Sequence, residues 1–266
     1  MGNRLSAVLD AEERAGRLTL TTEQIAKLLP GVSAAALRQT LYRQQMRGRL
    51  ARLSRGAGQW LIVPLMHAES GAPPLEAWLH RYMSAALEVP YYVGLLSAAE
   101  TYGIAPYAVT VTQVMVPIQR RPVTVGRQRL VFHTRTNITA MPTQWHETPE
   151  GRFRVSTPEL TMLELVRRQD LAGGLARVRD VVRGLAALAR AEGLAIALEA
   201  CEDIPPAQRL GAILAIEGSD LADAVAAWLH GKPKRTVSLA TGLKGTLELD
   251  SVFRVLRPVH LADSGV

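Results

Sequence analysis

From Ser33 to Val63 the chain reads SAAALRQTLYRQQMRGRLARLSRGAGQWLIV, with six arginines between Arg38 and Arg55 and no acidic residue. An ordinary solvated face mixes both signs of charge, so a folded surface this one-sided implies an anionic partner. The same residues constrain the local fold. Ser33 can accept a hydrogen bond from the free N–H groups of a first helical turn, and Ala34 to Arg47 contains no helix breaker. Gly48 ends that helix. Beyond it Leu50 and Leu53 stand beside Arg49 and Arg52, Ser54-Arg55-Gly56-Ala57-Gly58 supplies turn chemistry, and Trp60 to Val63 favours a strand. A helix leading into a short hairpin with a glycine-rich tip is the recognition helix and wing of a winged helix-turn-helix.

The preceding residues complete such a module. Leu5 to Ala15 is predicted as a short amphipathic helix, Leu18 and Leu20 as a strand-like approach, and Thr22 to Leu29 as a second helix capped by Thr21 or Thr22. Pro30-Gly31-Val32 is a tight turn into the third helix, and the series fills residues 4 to 63. Helical spacing sends Leu37 and Leu41 inward, with Ala34 and Gln44 near the same side. The opposite face presents Arg38, Gln39, Tyr42, Arg43 and Gln45, side chains that read base edges or hold phosphates. With Ser33 at the helix start and Arg49, Arg52 and Arg55 on the wing, the candidate DNA-binding set is Ser33, Arg38, Gln39, Tyr42, Arg43, Arg49, Arg52 and Arg55.

Charge distribution points to the same module. Residues 1 to 64 hold ten lysines and arginines against four acids, so most of the chain's net +7 lies in its N-terminal quarter. At 266 residues the chain is long enough for two domains. The expected division is a winged module over 1–64, a linker over 65–74 and a second domain over 75–266. One cysteine, Cys201, leaves no intrachain disulfide and favours a reducing cytoplasm. No signal peptide is expected at the N-terminus. The longest uncharged run, Thr101 to Gln119, is interrupted by Pro106 and Pro117 and is a poor transmembrane candidate, so no membrane partner is expected.

The second domain is expected to be mixed α+β, with a small, mainly antiparallel sheet and a helical block. Leu75 to Leu87 and Tyr91 to Tyr102 read as helices, Val109 to Val116 as β-rich, and Val123–Val125 with Arg129–His133 as a hairpin around Gly126. Phe153–Val155 is a further short strand. Thr157-Pro158-Glu159 is a helix start with a capping hydroxyl, a first-turn proline and a carboxylate at the positive end of the dipole. Helices are predicted over Pro158–Arg168, Val178–Glu192, Pro206–Glu217 and Ser219–His230, and an alternating tail over Thr236–Arg257.

Four stretches carry a family resemblance: YYVGLLSAAETYGI (Tyr91 to Ile104), QVMVPIQRR (Gln113 to Arg121), RVSTPELTMLELV (Arg154 to Val166) and AQRLGAILAIEG (Ala207 to Gly218). They resemble the C-terminal domain of the AbiEi family, antitoxins of bacterial type IV toxin–antitoxin systems that also carry an N-terminal winged helix. The family's usual pattern near Leu160 is closer to ERTLLDL; this chain has Leu160 where the pattern has Arg and Glu164 where it has Asp. The resemblance implies a repressor that binds inverted repeats in its own promoter through the winged helix. It also implies a C-terminal domain that counteracts a nucleotidyltransferase-like toxin.

Enzyme chemistry finds no support in the motifs. GxxxxGK[ST], GxGxxG, GxSxG, CxxC and HExxH are all absent. His133, His146 and Glu147 match no metal-ligand spacing and read as polar surface. Glu202 and Asp203 disfavour a thiolate at Cys201. No catalytic residue, metal or cofactor is therefore expected. Tyr91, Tyr92, Tyr102 and Tyr107 read as core and rim rather than as a pocket lining, and Arg120-Arg121 with Lys232, Lys234 and Arg235 as solvated loops. The alternative to an antitoxin is a stand-alone winged-helix transcriptional regulator with a ligand- or partner-sensing C-terminal domain. A genomic neighbour encoding a nucleotidyltransferase-like protein distinguishes the two.

Overall fold

The computed structural model describes residues 2–54, 58–104 and 111–259. Its N-terminal elements are α1 (Gly2–Arg14), β1 (Thr19–Thr21), α2 (Thr22–Leu28), α3 (Ala34–Met46), β2 (Leu50–Arg52) and β3 (Gln59–Ile62). Beyond them lie α4 (Leu79–Arg81), β4 (Tyr92–Val93), α5 (Leu95–Thr101), β5 (Thr112–Val116), β6 (Val123–Val125), β7 (Gln128–Thr134), β8 (Thr143–Thr148) and β9 (Gly151–Ser156). The chain continues through α6 (Pro158–Arg167), α7 (Leu175–Ala186), α8 (Ala191–Cys201), α9 (Ile204–Ile216), α10 (Leu221–Leu229), β10 (Val237–Ser238), β11 (Leu247–Asp250) and β12 (Val255–Pro258). The predicted α+β class holds. Residue contacts divide the chain into one unit of Met1–Tyr92, Thr110–Thr136 and Trp145–Arg154, and another of Val93–Val109, Asn137–Gln144 and Val155–Val266.

In the first unit, α2 opens on a capping box. The Gln24 N–H donates to the Thr21 hydroxyl and the Thr21 N–H donates to the Gln24 side chain, so two otherwise orphaned donors are satisfied reciprocally. Ser33 caps α3 as its sequence predicts, accepting from the Ala36 N–H. The inward face of α3 is Leu37, Thr40, Leu41 and Gln44. Ala34, expected there, is exposed; Thr40 takes the inward place because its hydroxyl donates to the Ala36 carbonyl and so needs no water. β1, β3 and β2 form an antiparallel sheet in that spatial order. Leu5, Leu9, Ile25, Leu41, Leu50 and Leu61 fill the space between it and the helices. Element order and pairing are those of a winged helix.

The helix expected over Leu75–Leu87 is broken. A 3-10 turn at Leu75–Ala77, α4 and a π-turn at Tyr82–Ala86 replace it, because buried Trp78 leaves helical geometry at φ −139°. The β6–β7 hairpin around Gly126 forms as expected. Its turn sits on the backbone of residues 70–71: a Cβ on Gly126 would lie 2.2 Å from the Ser70 carbonyl oxygen, which accepts from the Arg127 N–H. β7 lies between β6 and β5 and runs parallel to β5 from Thr112↔Leu130 to Val116↔Thr134. The mainly antiparallel character expected of the sheet therefore applies to its hairpins, while β5–β7, β4–β9 and β10–β12 are parallel.

In the second unit the predicted helix over Tyr91–Tyr102 begins only at α5. The β-favouring run before it makes β4, whose Val93 pairs with Val155, and Leu95 turns the chain at φ +56°. Thr157 and Pro158 start α6 as predicted. Val178–Glu192 is not one helix: α7 stops at Ala186, and α8 follows. The break is held by Glu159 of α6, whose buried carboxylate accepts from the backbone N–H of Arg190. A second carboxylate, Glu217, receives Arg179 and Arg183 of α7. Burial alone would raise the Glu217 pKa, but hydrogen bonds from Arg183 and Arg179 outweigh it and hold the carboxyl below its ordinary 4.5.

Because that pKa is depressed in the folded state, the associated stability is present above the unfolded carboxyl's range and is lost as pH falls through the folded value. Removing one partner of a buried pair leaves the other charge uncompensated, and the half-exposed Arg183 moderates the cost. Glu217→Gln is expected to destabilise the protein by about 2 kcal/mol at neutral pH, with a smaller loss below pH about 4, where the wild-type carboxyl also gains its proton. Denaturant titrations of both proteins across pH check this.

Candidate nucleic-acid interface

All four acids of the winged module are neutralised within it. Glu12 meets Arg17, Glu23 meets Lys27, and Asp10 and Glu13 both meet Arg49. The hydrogen bonds from Arg17 hold the Glu12 carboxyl below its ordinary value despite the opposing effect of burial. Three of these acids belong to α1, and the fourth, Glu23, lies in the first turn of α2 beside Lys27. Among the described residues no carboxylate pairs with Arg38, Arg43 or Arg47 of the α3 segment.

The structure brings much of the predicted set onto one surface. Arg38, Gln39, Tyr42, Arg43 and Gln45 are all exposed on α3, opposite Leu37, Leu41 and Gln44. Tyr42 is 61 % and Met46 69 % exposed, one turn apart, so this basic face also carries apolar area. Sequence reasoning left Met46 and Arg47 out of the set; both are exposed, and helical spacing from Arg43 is the signal that identifies them. Ser33 is exposed too, its hydroxyl committed to the cap.

The wing divides. Arg49 is 16 % exposed at its side chain: it donates to Asp10, Glu13 and the Val63 carbonyl, tying the start of the hairpin to α1. Its charge is spent inside the fold, unlike that of the α3 arginines. Arg52 is exposed, stacks over Trp60 with its guanidinium carbon 5.6 Å from the ring centre, and donates to the Ser54 carbonyl. Arg55 lies outside the described residues. The hairpin is fixed to the start of α2 through Thr22, whose hydroxyl donates to the Gly58 carbonyl and accepts from the Trp60 indole N–H. Gly58 sits at φ +57°, and a Cβ there would meet the Thr22 hydroxyl at 2.5 Å, so the close approach needs glycine.

Other candidate groups are structural. Tyr92 is fully buried and Tyr91 nearly so, and Tyr102 donates to the Ser156 carbonyl; Tyr107 lies outside the described residues. His146 stacks on Phe153, and Glu147 pairs with Arg152. Among the described residues no three His, Cys, Asp or Glu side chains gather as metal ligands, and no helix is long and apolar enough to cross a membrane. Lys232 lies over Trp228, and Lys234 donates to the Val252 carbonyl.

Residues 92–216 match the family described as AbiEi antitoxin C-terminal domain. Over these residues the chain is similar to AbiEi antitoxin C-terminal domains. This match runs from the start of β4 to the end of α9 and includes the Glu159 and Glu164 segment. AbiEi antitoxins are a regulatory rather than a catalytic family, and the match supports an antitoxin role. The crystal structure of the RV2827C protein from Mycobacterium tuberculosis is similar, with a TM-score of 0.67 and 15 % identity over 96 % of this chain and 91 % of that one. That likeness shows a shared fold. No curated protein matches the chain.

Replacing Arg38 or Arg43 with Ala is expected to weaken duplex DNA binding by roughly 1–3 kcal/mol where the side chain reads a base, with thermal stability unchanged. Arg49→Ala is expected to lower the melting temperature instead, since it strips Asp10 and Glu13 of their partner. Fluorescence anisotropy and thermal melts of the three variants separate the two effects.

Proposed function

We propose that this chain is the antitoxin of a bacterial type IV toxin–antitoxin system and an autorepressor of its own operon. The observation that carries the reading is the acid-free guanidinium face of α3 in a chain that also holds an AbiEi domain. In this reading residues 1–64 form the DNA-binding module, residues 65–74 link it, and residues 75–266 counteract a nucleotidyltransferase-like toxin. Both partners, duplex operator DNA and the toxin, are met in the cytoplasm, and the chain acts by binding, without catalysis, metal or cofactor.

Arg38 and Arg43 have the geometry to pair bidentately with guanine, Gln39 with adenine, and Tyr42 to donate to a phosphate oxygen. Ser33 anchors the start of the reading helix, and Arg52 and Arg55 serve the phosphate backbone. One such helix reads only a short half-site, so inverted repeats bring two copies to one promoter.

The test is genetic separation of the two activities. Co-expressed with the neighbouring toxin gene, the full chain is expected to restore growth and to silence a reporter driven by its own promoter. The double variant Arg38→Ala/Arg43→Ala is expected to lose silencing and retain protection. Failure of the wild-type chain to protect sinks the antitoxin assignment, and full silencing by the double variant sinks the assignment of α3 as the reader.

A further inference from the structure

The β8–β9 hairpin carries a second basic cluster. Alternation along the strands sorts its side chains: His146 and Phe153 stack on one face with ring centres 5.0 Å apart, which leaves Trp145, Glu147, Arg152 and Arg154 to the other. On that face the guanidinium carbons of Arg152 and Arg154 lie 4.4 Å and 4.6 Å from the Trp145 ring centre. His80 of α4 meets the same ring edge-on at 4.8 Å. The Tyr91 hydroxyl accepts from the Arg154 backbone N–H and sits 3.3 Å from His80 Nδ1, so strand and ring are held in one arrangement.

The charge of this cluster is unbalanced. Arg152 has Glu147 at 3.2 Å, but both side chains are more than half exposed, and such a pair contributes little. Among the described residues no carboxylate pairs with Arg154. Burial pushes His80 below its ordinary pKa of 6.5, and the two arginines push it the same way, so it is neutral at pH 7 and adds no third charge. Two like charges are thus brought to one ring with a single weak counter-charge. Stacking lays each planar guanidinium against the ring and fixes its rotamer, while its N–H edges stay directed away from the carbon face. That arrangement is preorganised to receive oxyanions, and the ordering entropy of two long side chains is already spent before binding.

We propose that Arg152 and Arg154 form a second DNA contact that holds the phosphodiester backbone of duplex DNA. This rests on the DNA-binding reading above, under which the chain already meets that polyanion. Because the Trp145 ring is committed to the two guanidinium groups and not to a base, the contact is independent of sequence.

Full-length protein is titrated against operator and scrambled duplexes over a series of salt concentrations. Each phosphate neutralised contributes about 0.9 to the slope of log affinity against log salt. Arg152→Ala/Arg154→Ala is therefore expected to reduce the slope by about 1.8 and to weaken both duplexes at least about tenfold near physiological salt. Arg152→Lys/Arg154→Lys keeps the charges and is expected to keep the slope; thermal melts of both variants exclude misfolding as the cause. Duplex binding by the wild type with an unchanged slope in the Ala variant overturns this proposal alone. The same unchanged slope with loss of protection against the toxin overturns it in favour of an acidic protein partner. Absence of duplex binding by the wild type overturns both this proposal and the reading on which it rests.

Discussion

The organisation of the winged module depends on where its few negative charges are held. Asp10, Glu12 and Glu13 stand on α1, and Arg49 and Arg17 are drawn to them. This contact does two things at once. It ties the first strand of the wing to the first helix, and it pairs all three carboxylates of α1 with arginines. Arg38, Arg43 and Arg47 are then left without a carboxylate partner among the described residues, a state with a self-repulsion cost that a polyanion would relieve. Pairing the α1 acids with Arg49 and Arg17 leaves the exposed face of α3 with arginines and no acid of its own.

Geometry at the wing is fixed with equal economy. Thr22 is the first residue of α2, yet its hydroxyl serves both the Gly58 carbonyl and the Trp60 indole. The helix that supports α3 and the strand that returns from the wing therefore share one anchor. Arg52 stacks on the same Trp60, so a side chain on the wing and the anchor of the wing are in direct contact. A surface held this rigidly avoids the affinity cost of being ordered at the moment of binding.

What the sequence revealed depended on how local the physical signal was. The caps at Ser33 and at Thr157-Pro158, the Gly126 hairpin and the inward Leu37 and Leu41 each follow from a few neighbouring residues, and each stands as predicted. β8 was hidden because TQWHET carries no apolar alternation; its one large apolar group, Trp145, faces two arginines. α8 was hidden because AEGLAIALEAC has no sustained polar stripe, and the break before it is made by Glu159, distant in sequence. Arg49 is the instructive residue of the candidate site. On the wing it looks like its neighbours, and only the fold reveals Asp10 and Glu13 beside it.

Charge bookkeeping along the chain limits where affinity for a polyanion can reside. Beyond residue 64 the chain is nearly neutral, so a basic site there has to be made by local segregation and not by composition. The β8–β9 hairpin achieves this by stacking, since the Trp145 ring holds two guanidinium groups close together against their repulsion. A winged module with a handful of base-reading side chains gains only about 1–3 kcal/mol of discrimination from each good pair. Sequence-independent contacts to the backbone raise affinity without adding to that discrimination, because operator and competing DNA present the same phosphates. Under the proposed function, specificity must therefore come from α3 duplicated across paired half-sites, while a backbone clamp at Arg152 and Arg154 lengthens the time each copy stays bound. Under that proposal the two arginine surfaces are complementary: α3 chooses the site, and the β8–β9 hairpin holds it.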